Sequence, residues 1–274
     1  MKTASQAQAL PNELLGALPA RDYAPLAKQL ERFDLRAGEV LYEPGQLQNW
    51  VYFPAGAVIS KLYMMEGGGT GAIALVGIEG AVGFSLYMGG RRAPTEAMVQ
   101  CAGPAYRIKG DLLRQEFDTD GTLRQLMLRY TESLLIQFGQ TAVCNRHHSV
   151  DQQLCRWLLM ILDRQRSNEI MMTQELLARM LGVRREGVSE AAGKLREAGI
   201  IHYSRGRITV LDRPRLEALA CECYEAVRIE LARLMPWCGC RGCQPVRPVD
   251  PIAKPAWTAS GHPAIMTEGA QHRG

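Results

Sequence analysis

The sequence predicts an α+β fold in three consecutive parts: an all-β barrel or sandwich, a long helix, and a helix-turn-helix closed by a β-hairpin. Three stretches carry that reading. Residues 33–108 hold short apolar runs punctuated by Gly and Pro, the texture of short strands joined by tight turns. Residues 122–147 keep apolar side chains at helical spacing. Residues 174–193, QELLARMLGVRREGVSEAAG, read as a helix, a tight turn and a second helix, with a hairpin pattern directly after.

Length and composition set the frame. The 274 residues suffice for one large or two modest domains with sizeable cores. A net charge of +4 permits nucleic-acid binding without arguing for it alone. No apolar stretch reaches bilayer-spanning length, and the N-terminus, MKTASQAQALPNELLGALPA, lacks the apolar core of a signal peptide. The chain is therefore expected in the cytoplasm, with its eight Cys as reduced thiols or metal ligands. In the β-rich stretch there is no Ser with nearby His and Asp, no HxxxH and no paired carboxylates, and the chain reads as a non-enzyme.

In order, Leu10, Leu14, Leu15 and Leu18 give an N-terminal helical face closed by Pro19, and a second short helix is expected over 21–30. Strands are expected at Val40-Leu41-Tyr42 and over 50–53, 58–64, 72–76, 97–100 and 106–108. Turns fall at Glu43-Pro44-Gly45 and Glu66-Gly67-Gly68-Gly69. A short helix covers 111–118. In the long helix, Leu123, Met127, Tyr130, Leu134, Gln137, Thr141 and Cys144 follow alternating steps of four and three, the seam spacing of a coiled coil. Leu128, Leu135, Phe138 and Ala142 lie off that stripe. A helix apolar on more than one face needs cover from more than one side, so one face is expected on the β domain and another on a second subunit.

Ser149 is placed to cap the next helix, which carries Leu154, Trp157, Leu158 and Ile161 and ends near 166–168; Thr173 caps the one after. Ala178 suits a close helix crossing, and Gly182 a turn needing positive φ. Leu177, Leu181, Val183, Val188 and Ala191 supply a small core. After a Gly199 C-cap, Ile200-Ile201-His202-Tyr203 and residues 207–211 flank Ser204-Arg205-Gly206, a hairpin that makes the unit a winged helix. Its second helix can enter a DNA major groove, presenting Arg184, Arg185 and Glu186 at its N-terminal end, with Arg205 and Arg207 on the wing suited to phosphates. One final helix is expected over 214–234. Beyond it Pro, Gly and polar residues dominate, which predicts disorder.

The cysteines offer a second chemistry. Cys221-Glu222-Cys223 and Cys238-Gly239-Cys240-Arg241-Gly242-Cys243 put five thiols near the C-terminus, a density that could hold zinc or an iron–sulfur cluster. Cys238, Cys240 and Cys243 are the candidate ligands. Cys221 and Cys223, read on one helix, point in different directions. Cys101, Cys144 and Cys155 read as small buried apolar residues, and His147-His148 as a polar hinge.

Residues 33–211 resemble the cyclic-AMP-receptor and fumarate-nitrate-regulator (Crp/Fnr) family of bacterial transcription factors. The matching residues are Gly38-Glu39-Val40-Leu41 with Gly45, Gly80-Ala81-Val82-Gly83-Phe84, and Gly182-Val183-Arg184-Arg185-Glu186-Gly187-Val188. The resemblance implies a helical lead-in (1–32), a cyclic-nucleotide-binding-like β-roll of the double-stranded β-helix or jelly-roll kind (33–120), a dimerisation helix (121–148), a winged helix-turn-helix (149–235) and a Cys-containing tail (236–274). It further implies a homodimer on a near-palindromic DNA site, with RNA polymerase as a partner. Arg185 and Glu186 match the family's base-reading pair, Ser189 follows one turn later, and Glu190 stands where the cyclic-AMP receptor has Arg, which predicts a different site. For an effector, Gly80, Val82 and Gly83 could supply backbone donors and Arg91 keeps the spacing of the phosphate Arg. Yet Ala81 replaces the ribose-binding Glu, Arg92 replaces the Ser or Thr, and Phe138 and Gly139 stand where base-contacting hydroxyls would be. The resemblance thus argues against ordinary cyclic-AMP binding and for a degenerate sensor or a scaffold.

Overall fold

A computed structural model describes residues 12–165 and 167–238, all within one compact unit, Met1–Gln244. Two short helices, α1 (Glu13–Gly16) and α2 (Ala20–Ala27), lead in. Buried Asn12 fixes them to the β-rich stretch. Its side-chain oxygen accepts from Leu15 N at 3.0 Å, capping α1, and its amide donates to Pro54 O and Gly80 O, both at 2.9 Å. Leu14, Leu15 and Leu18 are buried as their spacing predicts. Leu10 lies outside the described residues.

The β-rich stretch forms β1 (Glu31–Leu35), β2 (Val40–Tyr42), β3 (Trp50–Pro54), β4 (Val58–Met64), β5 (Thr70–Val76), a single helical turn α3 (Phe84–Tyr87), β6 (Glu96–Cys101) and β7 (Gly103–Lys109). They assemble into two antiparallel sheets, β1-β7-β3 and β2-β6-β4-β5. Gly45 and Gly68, both with φ of 81°, take the left-handed positions in the two expected turns. Every residue of β6 is buried, including Glu96 and Gln100. The reason is that its sheet is covered on both faces. Ile59, Ala74, Ala97 and Val99 point into the roll, whereas Val58, Leu62, Ala72, Leu75, Met98 and Cys101 pack with the helices that come after the long helix. Continuous burial replaces alternation when both faces of a sheet are covered.

After α4 (Gly110–Asp118), the long helix α5 runs Thr122–His147, matching its expected span. The seven residues with coiled-coil spacing do not face a partner. All are buried within the chain. Leu123, Met127, Tyr130 and Leu134 join the roll core, and Gln137 Oε1 accepts from Leu75 N at 2.7 Å. Of the off-stripe residues, Leu128 (44%), Leu135 (61%) and Ala142 are left exposed, whereas Phe138 packs against the roll core.

The C-terminal part comprises α6 (Val150–Arg164), β8 (Glu169–Met171), α7 (Gln174–Leu181), α8 (Arg185–Glu197), β9 (Ile201–Ser204), β10 (Arg207–Val210), α9 (Arg213–Leu219) and α10 (Glu222–Leu234). Ser149 and Gln152 form a capping box on α6, and Thr173 caps α7. Two features differ from the sequence reading. The wing gains a third strand, β8, paired antiparallel with β10 through Ile170 and Ile208. The expected single helix over 214–234 is broken, because Ala220 (ψ 155°) and Cys221 (ψ 162°) are both extended. After the break α10 runs back along α5. Among the described residues no helix is long and apolar enough to cross a membrane.

Candidate nucleic-acid interface

The helix pair α7 and α8 is set by local chemistry. Gly182, at φ 67° and ψ 29°, ends α7 in a left-handed turn that a side chain would strain. Leu177, Leu181, Val188 and Ala191 are buried between the helices. That packing turns the other face of α8 outward, leaving Arg184, Arg185, Glu186 and Glu190 exposed. Arg184 is the N-cap of α8 and, as a donor-only side chain, makes no capping bond to the helix N–H groups.

The wing completes a groove. Arg205 (φ 49°) and Gly206 (φ 75°) form the two-residue turn between β9 and β10, and both are left-handed. Two positive φ values in a two-residue hairpin turn define type I′. A groove of about 430 Å³ lies between α8 and this turn, lined by Thr173, Gln174, Glu175, Arg185, Arg196, Tyr203, Arg205 and Gly206. Three guanidinium groups and one aromatic ring therefore line one groove. Arg196 and Tyr203 were not singled out in the sequence. Arg196 follows Arg185 by three helical turns on one face of α8, a spacing that could have marked it.

The other expected residues are already engaged. Ser189 Oγ donates to Gln174 Oε1 (2.8 Å) and to Arg185 O (3.0 Å). Glu190 pairs with Lys194 at 2.9 Å, and Lys194 also reaches Asp151. Arg207 pairs with Glu169 at 3.4 Å. A second groove, about 580 Å³, separates Arg184, Arg185 and Glu186 from Gly68, Gly69 and Thr70 at the β4–β5 tip.

Residues 152–219 match the family model of the Crp-like helix-turn-helix domain. Solved structures share the fold over most of their lengths. FixK2 from Bradyrhizobium japonicum is 17% identical with a TM-score of 0.57, covering 70% of this chain and 98% of its own. TTHB099, a CRP-family transcriptional regulator from Thermus thermophilus, is 17% identical with a TM-score of 0.58, covering 69% and 96%. The c-di-GMP-responsive regulator CLP of Xanthomonas campestris is 15% identical with a TM-score of 0.56, covering 70% and 99%. No curated protein matches the chain. The chain carries a Crp-like helix-turn-helix domain in a Crp/Fnr fold.

In this Crp/Fnr roll the expected effector residues are packed or paired within the chain. A Cβ on Gly80 would meet the Tyr130 ring at 2.1 Å, and Tyr130 Oη donates to Ala81 O at 2.9 Å. The ring from α5 thus closes over the cassette backbone. Val82 is fully buried and bridged to Tyr52, and Gly83 (φ 113°) precedes α3. Arg91 pairs with Asp111 at 3.2 Å, and Arg92 Nη1 donates to Gly45 O at 2.8 Å. The 210 Å³ cavity beside Arg91 is lined by none of Gly80, Val82, Gly83 and Arg92. The roll interior instead holds Lys61, 1% exposed, which donates to Tyr42 Oη at 3.0 Å and lies 4.8 Å from the Phe84 ring centroid.

The cysteines are arranged differently from the sequence reading. Cys238 packs in the roll core with Leu234 and Met235, while Cys240 and Cys243 lie outside the described residues. Cys144, Cys221 and Cys223 instead form a buried cluster of their own, and His148 joins it. The helix break at Ala220 undoes the expectation that Cys221 and Cys223 diverge, since Cys221 is the extended N-cap of α10 and not a helical residue. Cys144 lies 3.5 Å from Cys221, and that contact holds the Cys221 thiol below its ordinary range while it pushes Cys144 up.

Proposed function

We propose that the chain is a sequence-specific DNA-binding transcriptional regulator, acting in the cytoplasm as a homodimer on a near-palindromic promoter site and working with RNA polymerase. The observation that carries the reading is the exposed N-terminal end of α8, Arg184, Arg185 and Glu186, beside a groove lined by Arg185, Arg196 and Arg205. Arg185 can fork onto a guanine and Glu186 can accept from a cytosine amino group. Arg184, Arg196 and Arg205 are placed for phosphates, and Arg207 stands on the same wing. Ser189 supports Arg185 from the adjacent turn, and Glu190, paired with Lys194, makes the preferred site differ from that of the cyclic-AMP receptor.

The exposed residues Leu128, Leu135 and Ala142, spaced by seven on α5, support the dimer: a heptad repeat of apolar residues on an open helix face fits a second copy of the same helix. Two α8 helices then address half-sites about one DNA turn apart. The Tyr130 ring over Gly80 supports a roll that does not take cyclic AMP, and calorimetry should find no tight binding.

The deciding experiment selects bound sequences from a random duplex pool and repeats a gel shift with Arg185→Ala. Selection should return a near-palindrome, and the variant should lose it while retaining weak, salt-sensitive binding. Unchanged sequence preference in the variant would remove Arg185 from the reading role.

A further inference from the structure

We propose that Cys144, His148, Cys221 and Cys223 form a four-ligand site for a divalent thiophilic ion, zinc foremost. One donor atom from each residue can be chosen so that all four lie within 4.8 Å of one another. Tetrahedral zinc, with bonds of about 2.0–2.3 Å, sets its donors roughly 3.3–3.8 Å apart. Cys144 Sγ and Cys221 Sγ are 3.5 Å apart, and Cys223 Sγ and His148 Nδ1 are 3.4 Å apart. Those two pairs are opposite edges of one tetrahedron.

Local structure explains the convergence. Cys144 and His148 are four apart at the C-terminal end of α5, so they share a face. The extended residues Ala220 and Cys221 then turn the chain so that the first residues of α10 meet that face. The three sulfurs belong to neither apolar core, being 0%, 4% and 0% exposed for Cys144, Cys221 and Cys223. A set of three buried Cys and one half-buried His is the donor chemistry of a structural zinc site.

The surroundings are those of a metal site. His148 Nε2 lies 3.2 Å from Glu222 Oε1, which directs Nδ1 at the sulfurs, as a carboxylate does for a ligating imidazole. Gln140 Nε2 donates to Cys223 Sγ at 3.0 Å. Arg156 is fully buried beside the cluster, and its Nη2 donates to Thr141 Oγ1 at 2.9 Å, while Nε and Nη1 have no hydrogen-bond partner. A buried guanidinium requires a compensating anion. Zinc with three thiolates and a neutral imidazole carries one net negative charge and supplies it. Binding forms three zinc–sulfur bonds and one zinc–nitrogen bond, thiol protons leave to solvent, and no electrons move. The ion would fasten α10 to the end of α5, beside the start of α6.

The test uses full-length protein purified under reducing conditions, with metal content measured by mass spectrometry and cobalt substituted for zinc. One zinc per chain should survive gel filtration with chelator, and cobalt should show tetrahedral d–d absorption with a thiolate charge-transfer band. Cys221→Ser and Cys223→Ser should each lose the metal, whereas Cys155→Ser and the double variant Cys240→Ser/Cys243→Ser should keep it. No zinc, an octahedral cobalt spectrum without the thiolate band, loss of metal in the double variant, or a Cys144–Cys221 disulfide in the wild-type peptide map would each overturn the site. Should the single variants fail to fold, the wild-type cobalt spectrum decides alone. None of these readouts involves DNA, so they stand or fall separately from the regulatory function.

Discussion

Two residues combine local cost with position. Arg205 holds φ at 49° in the wing turn, a region that costs a non-glycine residue about 1 kcal/mol or more. The groove it borders supplies the reason to keep a guanidinium there. Arg205→Gly should therefore raise stability by about 1 kcal/mol in thermal unfolding. The same variant should weaken DNA binding and reduce the slope of log affinity against log salt by about 1. Lys61 is the second. Burial lowers its ammonium from 10.5 to about 7. Below about 7 it is protonated both folded and unfolded, and the full desolvation penalty applies. Between about 7 and 10.5 the unfolded chain binds the extra proton, so stability rises with pH across that window, by several kcal/mol in total. Lys61→Met should flatten that rise, with its gain in melting temperature largest at or below pH 7 and shrinking toward pH 10.

At the scale of elements, α5 shows what sequence spacing can and cannot decide. Its span followed from periodicity, and the caps Ser149 and Thr173 from the chemistry of their side chains, because these are local properties. The seam did not follow. Tyr130, Gln137 and Thr141 have coiled-coil spacing, yet Tyr130 and Gln137 face this chain's own roll and Thr141 faces Arg156 of α6, since 3.5 and 3.6 periodicities are alike over a single helix. The face open to a partner is the one through Leu128 and Leu135, and Leu135→Glu should convert a dimer to monomer in sedimentation velocity with little change in helical signal. The break at Ala220 was illegible for another reason. Ala is a good helix former, and the extended conformation comes from the tertiary return of α10 along α5. Because that break also aims Cys221, the Cys and His cluster was hidden with it. The α7–α8 pair and its exposed end were legible since a helix-turn-helix writes its turn, small core and exposed end within twenty consecutive residues. Arg196 and Tyr203 were not, because they depend on how the wing folds back.

At the scale of the molecule, the helices of the helix-turn-helix part are tied to the roll by two ion pairs of the same polarity. Arg164 Nε lies 2.8 Å from Glu79 Oε1, both side chains 3% exposed or less, and Arg179 Nη2 forks onto Glu96 at 2.8 and 3.0 Å. Thr70 Oγ1 adds a bond to Arg179 O at 2.9 Å. Each pair joins an Arg of α6 or α7 to a Glu of the roll. Breaking such a pair from one side leaves a desolvated charge, which costs more than the intact pair contributes. The second pair sits beside the groove where the β4–β5 tip stands opposite Arg184, Arg185 and Glu186. In this arrangement a duplex approaching that end of α8 meets Gly68, Gly69 and Thr70. Glu96→Gln should therefore act twice. It should lower the melting temperature by several degrees, and it should speed hydrogen exchange in β5 and α7 as the tip detaches. Affinity for the selected DNA site should rise, because the duplex no longer competes with the tip. A variant with the lower melting temperature but unchanged affinity would make this contact a stabilising one only, and would leave control of α8 to another part of the roll.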